Sequence, residues 1–143
     1  MEQSQSNSEN HSNSIFIMKR LTSLLLMGLI FAATAAAQAV IKFDKTAIDF
    51  GTFAEAQPQT AIFTFTNTGT EPLVVHQAMT VCGCTVAEYT KNKVMPGKTG
   101  QVKVVYNGNG KPKGYFKKVV TIRTNASNAI TRLYVEGNMT IKE

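Results

Sequence analysis

The sequence predicts an all-β domain, an immunoglobulin-like β-sandwich of about seven to nine strands, on three observations. Beyond Gln38 no long stretch repeats its apolar residues at helical spacing. Short runs rich in β-branched and aromatic residues recur instead, parted by Gly, Pro and Asn at intervals of about ten residues. The clearest run, residues 60–66, alternates strictly. Ala61, Phe63 and Phe65 fall on one side and Thr60, Thr64 and Thr66 on the other, as in a sheet with one buried face.

Taken in order, residues 41–43 and 47–50 are the first short strands, with Gly51 expected to end the second. The alternating strand 60–66 follows and turns at Asn67-Thr68-Gly69. Pro72 opens a strand reaching Met79, and a short strand at 86–89 comes after the cysteine segment. Met95-Pro96-Gly97 makes the next turn, and 101–106 sets Val102, Val104 and Tyr106 on one face. A glycine-rich loop from Asn107 leads to strand 115–124, whose inward parity holds Phe116, Val120 and Ile122 but also Lys118, its stem laid along apolar surface and its charge at the rim. Strand 131–139, with Leu133 and Val135, completes the set; the order of strands in the sheets is not written in the sequence.

At 143 residues, 43% hydrophobic and 17% charged, the chain is sized and composed for one folded core. Ahead of it lies a secretory pattern: Met18-Lys19-Arg20, an apolar run at 21–31, then Ala35-Ala36-Ala37 before Gln38. The run of eleven residues is shorter than the roughly 20 that span a bilayer. Residues 1–37 are therefore expected to be a leader and cleaved signal peptide with the true start at Met18, and 38–143 the domain, exported to the periplasm or beyond the cell and without a transmembrane anchor. The remaining 106 residues carry thirteen Lys and Arg against seven Asp and Glu, so the net charge of +6 belongs to the domain. Those lysines are scattered, with no basic run interleaved with aromatics, which argues against a nucleic-acid partner.

A set of motifs in fixed order runs along the domain: Asp49-Phe50-Gly51-Thr52, Phe63-Thr64-Phe65-Thr66-Asn67-Thr68-Gly69, Pro72-Leu73, Cys82-Gly83-Cys84-Thr85, Pro96-Gly97, Gly114-Tyr115-Phe116 and Thr124-Asn125-Ala126. Over residues 41–140 this series resembles the exported bacterial immunoglobulin-like family of unknown function, which shares its architecture with major sperm protein and Hydin-type domains. The resemblance implies a seven-stranded sandwich with an interaction role, and no established reaction.

One constellation can carry chemistry: Cys82 and Cys84, one residue apart, with His76 six residues upstream. Export leaves three states open: an internal disulfide, a soft-metal site for copper or zinc, or reduced thiols that pack or pair with another chain. In an extended chain residues two apart are separated by roughly 6.6–7.2 Å at Cα, beyond the 5.5–6 Å that bridged cysteines prefer, so a disulfide needs a bend, which Gly83 permits. His76 joins a metal site only if 77–81 folds back, since an extended step of that length is about 20 Å. Otherwise it is an ordinary surface residue of a strand. No base, oxyanion pocket, paired carboxylates or cofactor fingerprint accompanies the cysteines, so the expectation is a non-enzyme without a resident cofactor. The expected function is binding or structural, toward protein or glycan of the cell envelope, through an edge strand or a loop cluster; the alternative is a thiol redox switch or a copper-binding protein centred on Cys82 and Cys84. Tyr89, Tyr106, Tyr115 and Tyr134 are read as sandwich-edge residues completing the core rather than as a sugar-binding stripe. Asn125-Ala126-Ser127 and Asn138-Met139-Thr140 are assigned structural roles.

Overall fold

A computed structural model describes residues 36–141 of the chain. The leader, the signal segment and the start at Met18 lie outside the described residues. Among the described residues eight strands are formed: β1 (Ile41–Phe43), β2 (Ala47–Ala54), β3 (Gln59–Asn67), β4 (Val75–Thr80), β5 (Thr85–Tyr89), β6 (Thr99–Tyr106), β7 (Gly114–Thr124) and β8 (Ile130–Thr140). They make two four-stranded sheets, ordered β1-β3-β6-β5 and β2-β8-β7-β4. No helix among the described residues is long and apolar enough to cross a membrane.

The alternation in β3 does what it predicts. Ala61, Phe63 and Phe65 are buried while Thr60 and Ile62 face solvent. β6 pairs antiparallel with β3, so Val102 and Val104 lie inward opposite Phe63 and Ala61. The facing sheet contributes Val120 and Ile122 from β7 and Leu133 and Val135 from β8. These side chains are fully buried, each stabilising the fold by about 1.5–3 kcal/mol relative to exposure.

Two strand expectations are corrected. Gly51 does not end β2. It sits in a bulge at φ 67°, where its N–H donates to Asp49 Oδ1 at 2.8 Å, and the strand resumes to Ala54. A single glycine with an Asp two residues earlier turns the strand without breaking it. Nor does the strand after Pro72 start there: Leu73 bridges Val94 outside the sheets, and β4 begins at Val75. Lys118 keeps the inward parity, opposite Val135, and is half-buried.

The N-terminal stretch serves both sheets. β1 runs antiparallel to β3, the chain crosses at residues 44–46, and β2 then runs parallel to β8 in the other sheet. At the opposite border β4 and β5 lie against each other and are stitched across the sheets. The Tyr89 hydroxyl donates to the His76 carbonyl at 2.8 Å, and the Thr80 hydroxyl to the Thr85 carbonyl at 3.0 Å.

Candidate functional site at the cysteine end

The chain leaves the second sheet at Thr80 and enters the first at Thr85, so residues 81–84 form the bend joining the sheets at one end of the sandwich. Cys82 and Cys84 are joined there as a disulfide, with Cα atoms 5.2 Å apart, inside the range that bridged cysteines occupy. Several bonds hold the bend. The Thr85 N–H donates to the Cys82 carbonyl at 3.1 Å, and the Asn107 N–H donates to the Cys84 carbonyl at 2.8 Å.

Beneath the ring lies a second apolar cluster, separate from the main core: Phe53 from β2, Tyr106 from β6 and Met139 from β8 bury Cys84, with Phe50, Phe116 and Cys82 partly buried against them. Tyr106 stacks on Phe116 with centroids 4.0 Å apart, and Phe53 meets both edge-on at 6.2 and 5.8 Å. Aromatic and thioether groups suit this position because sulfur packs favourably against ring edges. The two sulfur residues are unequal: Cys84 is buried and Cys82 only half so.

Neighbouring loops brace the same end. Glu55 accepts from the Gly110 N–H at 2.9 Å and pairs with Lys113 at 3.3 Å. The Gly110 N–H first, and then Lys113, holds its carboxyl below the usual carboxylate range. Gly108 is buried beside them, and a Cβ there would run into Met139 Sδ. Above this platform Val81 is 96% exposed and Met79, on β4, 38%.

His76 does not join the cysteines. It lies exposed on β4 where the register shifts between Val75 and Gln77, and among the described residues no three His, Cys, Asp or Glu side chains gather to hold a metal. The tyrosines do not form a stripe. Tyr106 is core, Tyr89 is tied to β4 with Lys91 over its ring at 3.6 Å, and Tyr115 donates to Glu136 at 2.7 Å. Asn125 is structural: its side chain accepts from the Val74 N–H at 2.8 Å and donates to the Pro72 carbonyl at 2.9 Å. At the far end a cleft of about 450 Å³ is lined by Gln38, Glu71, Pro72, Val74, Lys93 and Asn125 among others, none aromatic, so it lacks the flat apolar surface on which a sugar ring would stack.

Sequence reasoning missed Val81 and the aromatic floor as parts of the site. The inward parity of Phe116 and Tyr106 was visible, but which loop they lie beneath follows only from the sheet order.

Residues 41–139 match the model of a family described as protein of unknown function (DUF1573). No curated protein matches the sequence. Among solved structures, the fold is similar to a protein of unknown function from Porphyromonas gingivalis W83, with a TM-score of 0.63 and 21% identity over 76% of this chain and 50% of that one. The chain thus spans half the length of that relative. It is also similar to the ASH / PapD-like domain 7 of human CEP192, with a TM-score of 0.60 and 10% identity over 78% of this chain and 93% of that one. A third likeness is to the periplasmic chaperone SfaE, with a TM-score of 0.54 and 11% identity over 72% of this chain and 61% of that one.

Proposed function

The chain belongs to the DUF1573 family of proteins of unknown function, and from that premise we propose that it is a non-enzymatic exported module that binds a protein of the bacterial cell envelope through the loops at its cysteine end. The observation that carries this is Val81, 96% exposed on a bend closed by a disulfide and seated on buried aromatics. An apolar side chain held out by a braced loop loses little conformational freedom when a partner covers it, so more of the contact energy appears as affinity. Met79, two residues earlier on β4, is also exposed.

Loops are favoured over an edge strand because each border of the sandwich is blunted. β1 has three residues, β2 is bulged at Gly51, and β4 and β5 are stitched together by Tyr89 and Thr80. Export is supported by the secretory pattern at residues 18–37 and by the disulfide, a bond that persists outside the cytosol. SfaE, one of the fold neighbours, is a periplasmic protein.

A photo-cross-linking residue placed at 81 in the expressing bacterium tests the binding surface. Its control is the same residue at Met95, also exposed at 52% but on the loop between β5 and β6. Discrete adducts to an envelope protein from position 81 and none from 95 are expected. Equal labelling, or none at 81, would refute the loop-cluster site.

A further inference from the structure

Gly83 lies inside the small ring closed by the bridged Cys82 and Cys84. Gly51, Gly97, Gly110 and Gly114 adopt positive φ, but Gly83 does not, and a Cβ built on it meets no atom within 4 Å outside its chain neighbours. Beyond the two cysteines themselves, a larger residue there meets no obstacle. What such a residue would add is bulk between the two cysteines, at an exposed position of the ring.

The sulfurs themselves are differentiated. Cys84 is 6% exposed, enclosed by Phe53, Tyr106 and Met139, while Cys82 is only partly buried against the same cluster. The Cys84 N–H donates to Cys82 Sγ at 3.2 Å, and the Thr85 hydroxyl lies 3.8 Å from Cys84 Sγ. An approaching thiolate therefore finds one sulfur within reach and the other shielded, with a hydrogen-bond donor beside each.

We propose that Cys82 and Cys84 form a thiol–disulfide exchange site at which an external dithiol attacks Cys82. The attacking thiolate bonds to Cys82 Sγ as the bond to Cys84 breaks, and the electron pair leaves on Cys84 Sγ, facing the Thr85 hydroxyl. The second thiol of the donor, after losing its proton to water, attacks the donor's own sulfur in the mixed disulfide. Cys82 leaves as a thiolate beside the Cys84 N–H. Two electrons and two protons pass to the cysteine pair, and the donor departs as a disulfide. Gly83 keeps the approach to Cys82 clear.

This inference does not rest on Val81 binding a partner; cross-linking at 81 tests that binding, whereas the following experiment tests the chemistry. The full chain is exported and purified without reductant as Cys84→Ser, leaving Cys82 free, and as Cys82→Ser, leaving Cys84 free. Each is mixed with oxidised glutathione and followed by intact mass. Cys82 should be captured faster than Cys84 by about tenfold or more, given its exposure. Equal rates or the reverse order would overturn the assignment. A second measurement keeps both cysteines. In Gly83→Val, reduction of the disulfide by dithiothreitol should slow by about tenfold while Tm stays unchanged, since access alone is altered. An unchanged reduction rate would reduce the ring to a structural clip.

Discussion

Asn67 shows how much one side chain can hold. It is fully buried; its Nδ2 donates to the carbonyls of Glu71 at 2.7 Å and Val94 at 2.9 Å, and its Oδ1 accepts from the N–H of Gly69 at 3.0 Å and of Val40 at 3.4 Å. Four backbone groups from three segments depend on it. Asn67→Ala should lower stability by about 2–3 kcal/mol, because groups left unpaired in the interior keep their desolvation cost; urea unfolding should show a lower midpoint at the same slope. Glu136 makes the pH-sensitive counterpart. The Tyr115 hydroxyl first, then Lys117, holds its carboxyl below the usual range. A carboxylate depressed in the folded state contributes stability above its unfolded value of about 4.3, and loses it as pH falls through the folded value. Glu136→Gln should therefore lower Tm at pH 7 and converge with the parent as pH falls below the folded value, which lies under the usual carboxylate range. Because the group is exposed, salt should shrink the difference. A gap that is constant with pH would show that charge plays no part.

At the scale of elements, the disulfide and its floor make separable contributions. A ring closed over so few residues removes little chain entropy, so replacing both cysteines by serine should cost about 2 kcal/mol or less and leave the circular dichroism of the sandwich intact. Phe116→Ala should cost more, about 3 kcal/mol, because it removes the stacking partner of Tyr106 and leaves a gap beneath Cys84. Calorimetry that ranked the cysteine change as the larger would assign the aromatic floor a lesser role. The same region marks where the sequence ceased to be informative. β3 was legible because Ala61, Phe63 and Phe65 alternate with threonines under a purely local rule. The continuation of β2 past Gly51 was not, because glycine after Phe50 looks like an ending until Asp49 is seen to complete the turn. The cysteines were legible as candidates, and His76 as a surface residue of a strand; Phe53, Tyr106, Phe116 and Met139 come from four different strands, and only long-range pairing brings them under one loop.

For the whole molecule, the crossing from β1 to β2 is the first of several connections that tie the two sheets together. Ala39 and Ile41 are buried, and β1 covers the outer edge of β3. A chain begun at Asp44 would uncover that edge, with Phe65 beneath it. It should self-associate in size-exclusion chromatography, as unprotected edges do; a well-behaved monomer would show that β3 needs no cover. The parallel pairing of β2 with β8 has a mechanical consequence as well. Ala47 stands beside Tyr134 and Ala54 beside Thr140, so the two strands enter and leave the sandwich in the same sense. Tension pulling residues before β2 one way and residues after β8 the other drags these strands lengthwise past each other. It loads their backbone hydrogen bonds together instead of peeling them one at a time. Load applied to opposite ends of β2 and β8 is thus met by the whole β2/β8 ladder at once.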